Sequence, residues 1–147
     1  MTRDLAQTLH ASCVAWGSRA VVIVGPSGSG KSALALHLMA FGCALVADDQ
    51  TEVWAQADRL FAKSPAALNG MIEARGVGIL RAESVPQAEI ALVVDLGQTE
   101  THRLPPLRHV TLLGQTRPLI LGPLVQSPSH HHFPASILCY LKGPQPV

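Results

Sequence analysis

Charge is scarce in this chain. Only 14% of its 147 residues are Asp, Glu, Lys or Arg, and they leave a formal net charge of +1. That balance supplies no basic face to neutralise a phosphate backbone, which excludes nucleic acid as an expected partner. Cysteine is scarce as well: Cys13, Cys43 and Cys139 stand isolated, without the spacing of a disulfide framework or a zinc knuckle. They read as reduced, mostly buried thiols of a cytoplasmic protein. Long apolar runs are missing, because Gly, His or Asp interrupts each one well short of a membrane span. No basic and hydrophobic leader opens the sequence either; Arg3 and Asp4 run straight into a polar segment. What is plentiful is apolar content, 48% with a mean hydropathy of +0.26, which argues against disorder. At 15.6 kDa the expectation is one domain with a real hydrophobic core, spanning residues 9 to about 125, and a flexible tail from about 142 to 147.

The stretch from Ala20 to Asp49 organises the rest. Ala20-Val21-Val22-Ile23-Val24 reads as a strand, and Gly25-Pro26-Ser27-Gly28-Ser29-Gly30-Lys31-Ser32 fits G-x-x-x-x-G-K-[ST] without a mismatch. A helix former follows, so the motif has the strand-to-helix context that a phosphate-binding loop needs. Glycines at 25, 28 and 30 let consecutive N–H groups turn inward around anionic oxygens. Lys31 can reach the β and γ phosphates of a nucleotide, and Ser32 is short enough to ligate Mg²⁺. The helix from Ala33 to Phe41 is apolar on nearly all faces and is expected to be buried, with Gly42 as its stop.

Before this stretch, Met1 to Thr8 reads as a loose lead-in or a short helical turn. Leu9, Ala11, Cys13 and Ala15 alternate with His10, Ser12 and Val14, the pattern of a strand with one buried face. Trp16-Gly17-Ser18 turns the chain, so this strand pairs antiparallel with the one before the loop. His10 then lies beside the loop, although an ordinary half-exposed strand histidine fits the same pattern.

After the helix, Cys43 to Ala47 is a short buried strand ending in Asp48 and Asp49. A crossover through the helix brings its carboxyl end to the edge that carries the loop, where ligands of such sheets bind. One aspartate can hold metal or metal-bound water and the other can accept a proton. Adjacent residues of an extended chain point opposite ways, so the two are expected to do different jobs. Capping of a turn is the structural alternative for either.

The remainder turns from α/β to β. Thr51–Trp54 and Leu60–Ala62 form a hairpin about Ala57-Asp58-Arg59, and Ser64–Gly70 is a loop with one helical turn. In Met71-Ile72-Glu73-Ala74-Arg75-Gly76-Val77-Gly78-Ile79-Leu80, the paired glycines suggest a backbone shaped around a ligand or a close neighbour. A surface turn with an incidental Glu/Arg pair is the plainer alternative. Ile90 to Val94 marks a central strand, and the stretch from Gly97 to Leu107 is polar and proline-limited. Short strands follow at Val110–Leu113 and Leu119–Leu121. Gln126 to Pro134 reads as a loop with His130, His131 and His132, a tract without the spaced partners of a metal site. Ala135 to Leu141 closes the pattern as a short helix.

Taken together, these pieces resemble the catalytic domain of the HPr kinase/phosphorylase family, in the short form without the N-terminal domain. The resemblance rests on Leu9-His10-Ala11-Ser12, the loop at 25–32, Leu45-Val46-Ala47-Asp48-Asp49, the Glu73-to-Ile79 segment and Arg103-Leu104-Pro105. It spans residues 9 to about 107. It implies an α/β fold that joins a phosphate loop to a mixed sheet of the kind in bacterial phosphoenolpyruvate carboxykinases, with an antiparallel first strand. It also implies an ATP-dependent protein kinase whose partner is a small HPr-type phosphocarrier of a bacterial phosphotransferase system. By position, His10, Lys31, Asp49 and Arg103 match catalytic residues. Gly25, Pro26, Ser27, Gly28, Ser29, Gly30, Lys31 and Ser32 match the nucleotide loop, and Ser32, Glu73 and Asp48 match the Mg²⁺ site.

One departure bears on direction. Longer relatives carry an Arg-Pro-Gly-Arg-like segment associated with dephosphorylation, and Thr116-Arg117-Pro118-Leu119 is the nearest piece here, without the following glycine and arginine. The phosphorylase direction is thereby left unsupported. Long members are hexamers through this domain, which admits a homo-oligomer. Two other functions fit the loop alone: a small-molecule ATP kinase or nucleoside triphosphatase, and a nucleotide-dependent sensor without turnover. No arginine-rich lid and no Asn-Lys-x-Asp signature supports the first, and a sensor has no use for an acid/base.

Overall fold

A bend at His10 cuts the expected first strand in two. The structure, a computed structural model, describes residues 5–124 and 129–143. Where the sequence predicts a loose lead-in, Leu5–Leu9 forms strand β1; residues 1–4 of that lead-in lie outside the described residues. Ala11–Trp16 is β2 and Arg19–Val24 is β3, paired antiparallel from Ala11↔Val24 to Trp16↔Arg19 as the turn at Gly17 requires. Helix α1 (Lys31–Ala40) leads to β4 (Ala44–Ala47), which pairs antiparallel with β2. Strand β2 therefore lies between β3 and β4, and those two run in the same direction with their carboxyl ends on one edge.

Next come β5 (Thr51–Gln56) and β6 (Arg59–Lys63), the expected hairpin, and a 3₁₀ turn at Ala66–Leu68. A separate two-stranded ribbon is made of β7 (Met71–Ala74) and β8 (Gly78–Arg81). Strand β9 (Ala88–Thr99) is longer than its apolar centre and runs parallel to β3. A hairpin of β10 (Arg108–Leu112) and β11 (Gln115–Gly122) follows, with β11 parallel to β9. Helix α2 (Ser129–Lys142) ends the described chain; residues 125–128 of the expected loop and 144–147 of the expected tail lie outside it. The main sheet has the order β1-β5-β6-β9-β3-β2-β4, with β11 and then β10 branching from β9. Parallel and antiparallel pairs coexist, so this is a mixed α/β sheet.

Two cores explain why β2 is buried on both faces, where alternation predicts one. Ala11, Cys13 and Ala15 join Val22, Val53, Leu60 and Ile90 in a cluster enclosed by the strands. Val14, on the other face, packs with Val21 and Ile23 against Leu34 and Leu38 of α1 and Ile137 and Leu141 of α2. A central strand covered on both sides loses the alternation of a half-exposed one. Burial pushes the Cys13 thiol up, while Cys139 is exposed on α2. Helix α1 buries only Lys31, Leu34, Ala35 and Leu38, so its apolar residues at Ala33 and Ala40 face out and the expectation of burial all round fails. Gly42 follows it, its N–H bonding Met39 O at 3.0 Å.

The histidine tract is helical, not a loop. Pro134 sits inside α2, and the helix is held against the sheet at its far end, where Arg19 Nε donates to Leu141 O at 2.9 Å and Lys142 Nζ lies 4.5 Å from the Trp16 ring centroid. Among the described residues no helix is long and apolar enough to cross a membrane.

Candidate active site

Strand β3 delivers the chain into a loop that crosses over the start of α1. At Gly25 (φ 150°) a Cβ would stand 2.6 Å from Ser29 Oγ and 3.2 Å from Gly97 N, so only glycine fits the closure. Ser29 N donates to Pro26 O at 3.1 Å across the same turn. Lys31 is 7% exposed, and its Nζ donates to Gly25 O at 2.9 Å and Pro26 O at 3.0 Å, so the ammonium lies beneath the loop. Helix α1 begins without a capping side chain and without an acid in its first turn. Its free N–H groups and positive end are open to an anion.

Asp48 ties four elements together. Its Oδ1 accepts from Ser12 Oγ at 2.8 Å and Ser32 Oγ at 2.7 Å, and its Oδ2 accepts from Glu73 N at 3.1 Å. Ser12 comes from β2, Ser32 from α1 and Glu73 from β7, so one carboxylate sets the distances among them. Asp48 is 9% exposed and Ser12 is fully buried. A buried carboxylate with three donors is satisfied; remove it and the donors are orphaned. Ser12 carried no role in the sequence reading, because a serine in an alternating strand reads as a solvent-facing residue.

Asp49 turns the other way, for a reason different from strand alternation. It adopts a left-handed conformation (φ 67°), so the chain has already left the strand. Its backbone is pinned by Ala11 N, which donates to Asp49 O at 3.0 Å, while Thr51 Oγ1 donates to Ala11 O at 2.8 Å. The bend before β2 thereby holds His10 over Asp49, with Nδ1 3.4 Å from Oδ1 and both side chains more than half exposed. His10 belongs to that bend and not to a strand.

These residues surround one cavity of about 440 Å³. His10, Ser27, Gly28, Gly30, Lys31, Ser32, Asp49, Glu73 and Arg75 line it, and Asp48 supports it from below. The sequence marks Arg75 only as part of the glycine-paired Glu73-to-Ile79 segment, with no role of its own. Arg75 opens the turn that follows β7, so its nearness to Glu73 in sequence is the signal, not strand alternation. Gly76 and Gly78 serve the turn of this ribbon: both have positive φ, and a Cβ on either would meet nothing within 4 Å, so no protein neighbour is crowded there.

Arg103 is not among the lining residues; it lies exposed between β9 and β10. In the same region Glu100 accepts from Arg108 Nε and Nη2, each at 2.9 Å, which holds its carboxyl down to about 2. Arg117 is committed elsewhere, donating to Ile90 O at 3.0 Å and Thr116 O at 2.8 Å near the opposite end of β9.

For a divalent cation the candidates at the cavity are Ser32 and Glu73, a hydroxyl and a carboxylate; Asp48, expected with them, lies beneath the cavity with both carboxylate oxygens taken by protein donors. Mg²⁺ binds through one or two carboxylates and keeps several waters, so this donor set fits it. Among the described residues no group of three or more His, Cys, Asp or Glu is arranged as a metal site.

The profile of the HPr Serine kinase C-terminal domain matches residues 3–110. The HPr kinase/phosphorylase of Mycoplasmopsis pulmonis is 34% identical over 102 residues, which are 65% of this chain and 33% of that protein. The one from Aromatoleum aromaticum is 37% identical over 120 residues, 71% of this chain and 38% of the relative. This chain thus spans well under half the length of these curated relatives. A solved structure, the Hpr(Ser) kinase/phosphatase from Coxiella burnetii, superposes with a TM-score of 0.75 at 27% identity, covering 92% of this chain and 94% of that one. Every residue that lines the cavity lies within the matched 3–110, and the chain belongs to the HPr Serine kinase C-terminal domain family.

Proposed function

We propose that this chain is one catalytic domain that transfers the terminal phosphoryl group of ATP to a serine hydroxyl of a small HPr-type phosphocarrier protein. The observation that carries this is the convergence of Lys31, Ser32, Asp49 and Glu73 on one cavity, at the common end of β3 and β4. The names of the relatives support both the reaction class and the protein substrate.

The Gly25-to-Ser32 segment acts as the phosphate loop. Lys31 exchanges its two carbonyl acceptors for phosphate oxygens, which are stronger partners because they are charged. Ser32 and Glu73 would hold Mg²⁺, which would supply further charge neutralisation, and Asp48 fixes the Ser32 hydroxyl. Asp49 is exposed toward the incoming serine and takes its proton. His10 holds the Asp49 carboxylate in that orientation. Arg75 lies on the same wall and can pair with phosphate in the bidentate manner of a guanidinium. Arg103 reaches phosphate only if the exposed segment after β9 closes over the cavity.

The kinase direction is favoured over phosphate-driven release of phosphoserine. Arg117, the nearest counterpart of the arginine segment of longer relatives, is spent on backbone carbonyls away from the cavity. A sensor without turnover would need neither an exposed Asp49 nor a histidine to orient it. Incubation with Mg²⁺ATP and purified HPr-type carriers, followed by mass spectrometry, tests the proposal: phosphoserine on a carrier supports it. ATP hydrolysis with no phosphorylated carrier, or no turnover at all, overturns it in favour of a small-molecule enzyme or a sensor.

A further inference from the structure

A second cavity, of about 380 Å³, lies on the other side of the loop, within the ~300–1,000 Å³ of small-molecule sites. The two cavities share Gly30 and Ala33, so they meet across the first turn of α1. Their walls differ in kind. Among the described residues no Asp, Glu, Lys or Arg lines the second. Leu34 and Leu96 form an apolar side, His130, His131 and Phe133 present rings from α2 and His37 one from α1, and Gln98 contributes an amide. Ser29, also in its wall, carries the one buried side-chain oxygen among the described residues without a hydrogen-bond partner.

We propose that this cavity receives the nucleoside of the phosphoryl donor, so that the chain uses a nucleoside triphosphate in preference to inorganic pyrophosphate. The inference rests on the phosphate-loop reading above. A donor whose reacting end lies between Lys31 and Asp49 has its phosphates over Gly30, and whatever it carries beyond them passes into the second cavity. An uncharged, flat, heteroaromatic ring suits that space: apolar contact on one side, rings to stack on, and an amide for the polar edge. Inorganic pyrophosphate has nothing to place there. Gly122, Pro123, His130, His131 and Phe133 of this wall lie beyond residue 110 where the family match ends, so donor choice draws on residues outside that match.

Calorimetric titration of the full chain with Mg²⁺ATP and with Mg²⁺ inorganic tripolyphosphate separates the phosphates from the nucleoside. ATP is expected to bind roughly ten- to a hundredfold more tightly, the range that stacking of a base on aromatic side chains supplies. Phe133→Ala should remove most of that advantage while leaving tripolyphosphate affinity unchanged. His37→Ala, on the exposed side of α1 in the same wall, gives a second reading if Phe133→Ala does not fold. Equal affinities in the native chain, or variants that weaken both ligands alike, overturn the inference and leave the phosphate loop standing. Binding of neither ligand overturns the phosphate loop and this inference together.

Discussion

The cavities on either side of Gly30 and Ala33 share a loop and little else. One is lined by Lys31, Asp49, Glu73 and Arg75 together with His10; among the described residues the other has no Asp, Glu, Lys or Arg, and it gathers the rings of His37, His130, His131 and Phe133 beside the aliphatic Leu34 and Leu96. The first is held by short-range devices at strand ends: the Asp48 hydrogen bonds, the left-handed turn at Asp49 and the bend at His10. The second exists only because topology brings the end of β9, the end of β11 and the start of α2 against α1. In the proposed division, chemistry falls where a few hydrogen bonds fix geometry, and selectivity for the donor's nucleoside falls to packing.

The comparison breaks most completely at Lys31. Lys31→Ala removes the only lysine among the described residues that line either cavity and should abolish phosphoryl transfer and weaken tripolyphosphate binding, with the fold intact by circular dichroism. A smaller effect, on stability as well as rate, is expected from Asp48→Asn. An amide keeps one acceptor oxygen for three donors, so a loss of about 1–3 kcal/mol follows. In a chain of this size that lowers the melting temperature by roughly 2–4 °C per kcal/mol.

The smallest effect is on pH. Arg108 holds the Glu100 carboxyl at about 2 against an ordinary 4.5, and Glu100 N donates to the carbonyl of Gly122 in the second cavity's wall. A depressed carboxyl contributes stability that is complete above its unfolded value and is lost as pH falls from 4.5 toward about 2. Thermal melts across that window should fall more steeply for the native chain than for Glu100→Gln.

How much of this was legible follows the same division. The Val-rich strand, the glycine loop and the paired aspartates are contiguous in sequence, and the structure brings His10, Lys31, Ser32 and Asp49 to one cavity as the strand topology suggested, with Glu73, which only the resemblance had pointed to. Ser12 escaped notice because its partner is 36 residues away, and β1 because its register with β5 joins Leu9 to Thr51. Local propensity holds no trace of such pairings. Helix α2 was shortened in the reading because Pro134 and three histidines mask an apolar face at Ile137, Leu138 and Leu141 that only burial reveals. Arg103 was placed by resemblance alone, and the fold leaves it outside the cavity.

The central claim is that Asp49 does the proton chemistry while Asp48 holds the architecture. Single-turnover transfer from Mg²⁺ATP to the carrier serine by Asp49→Asn, with melting temperature and nucleotide affinity recorded on the same sample, tests it most directly. The account predicts a rate loss of about 10²–10⁴-fold, the usual contribution of a general base, with stability and affinity unchanged. Native-like transfer by Asp49→Asn, or a loss that tracks a fall in its melting temperature, would contradict it.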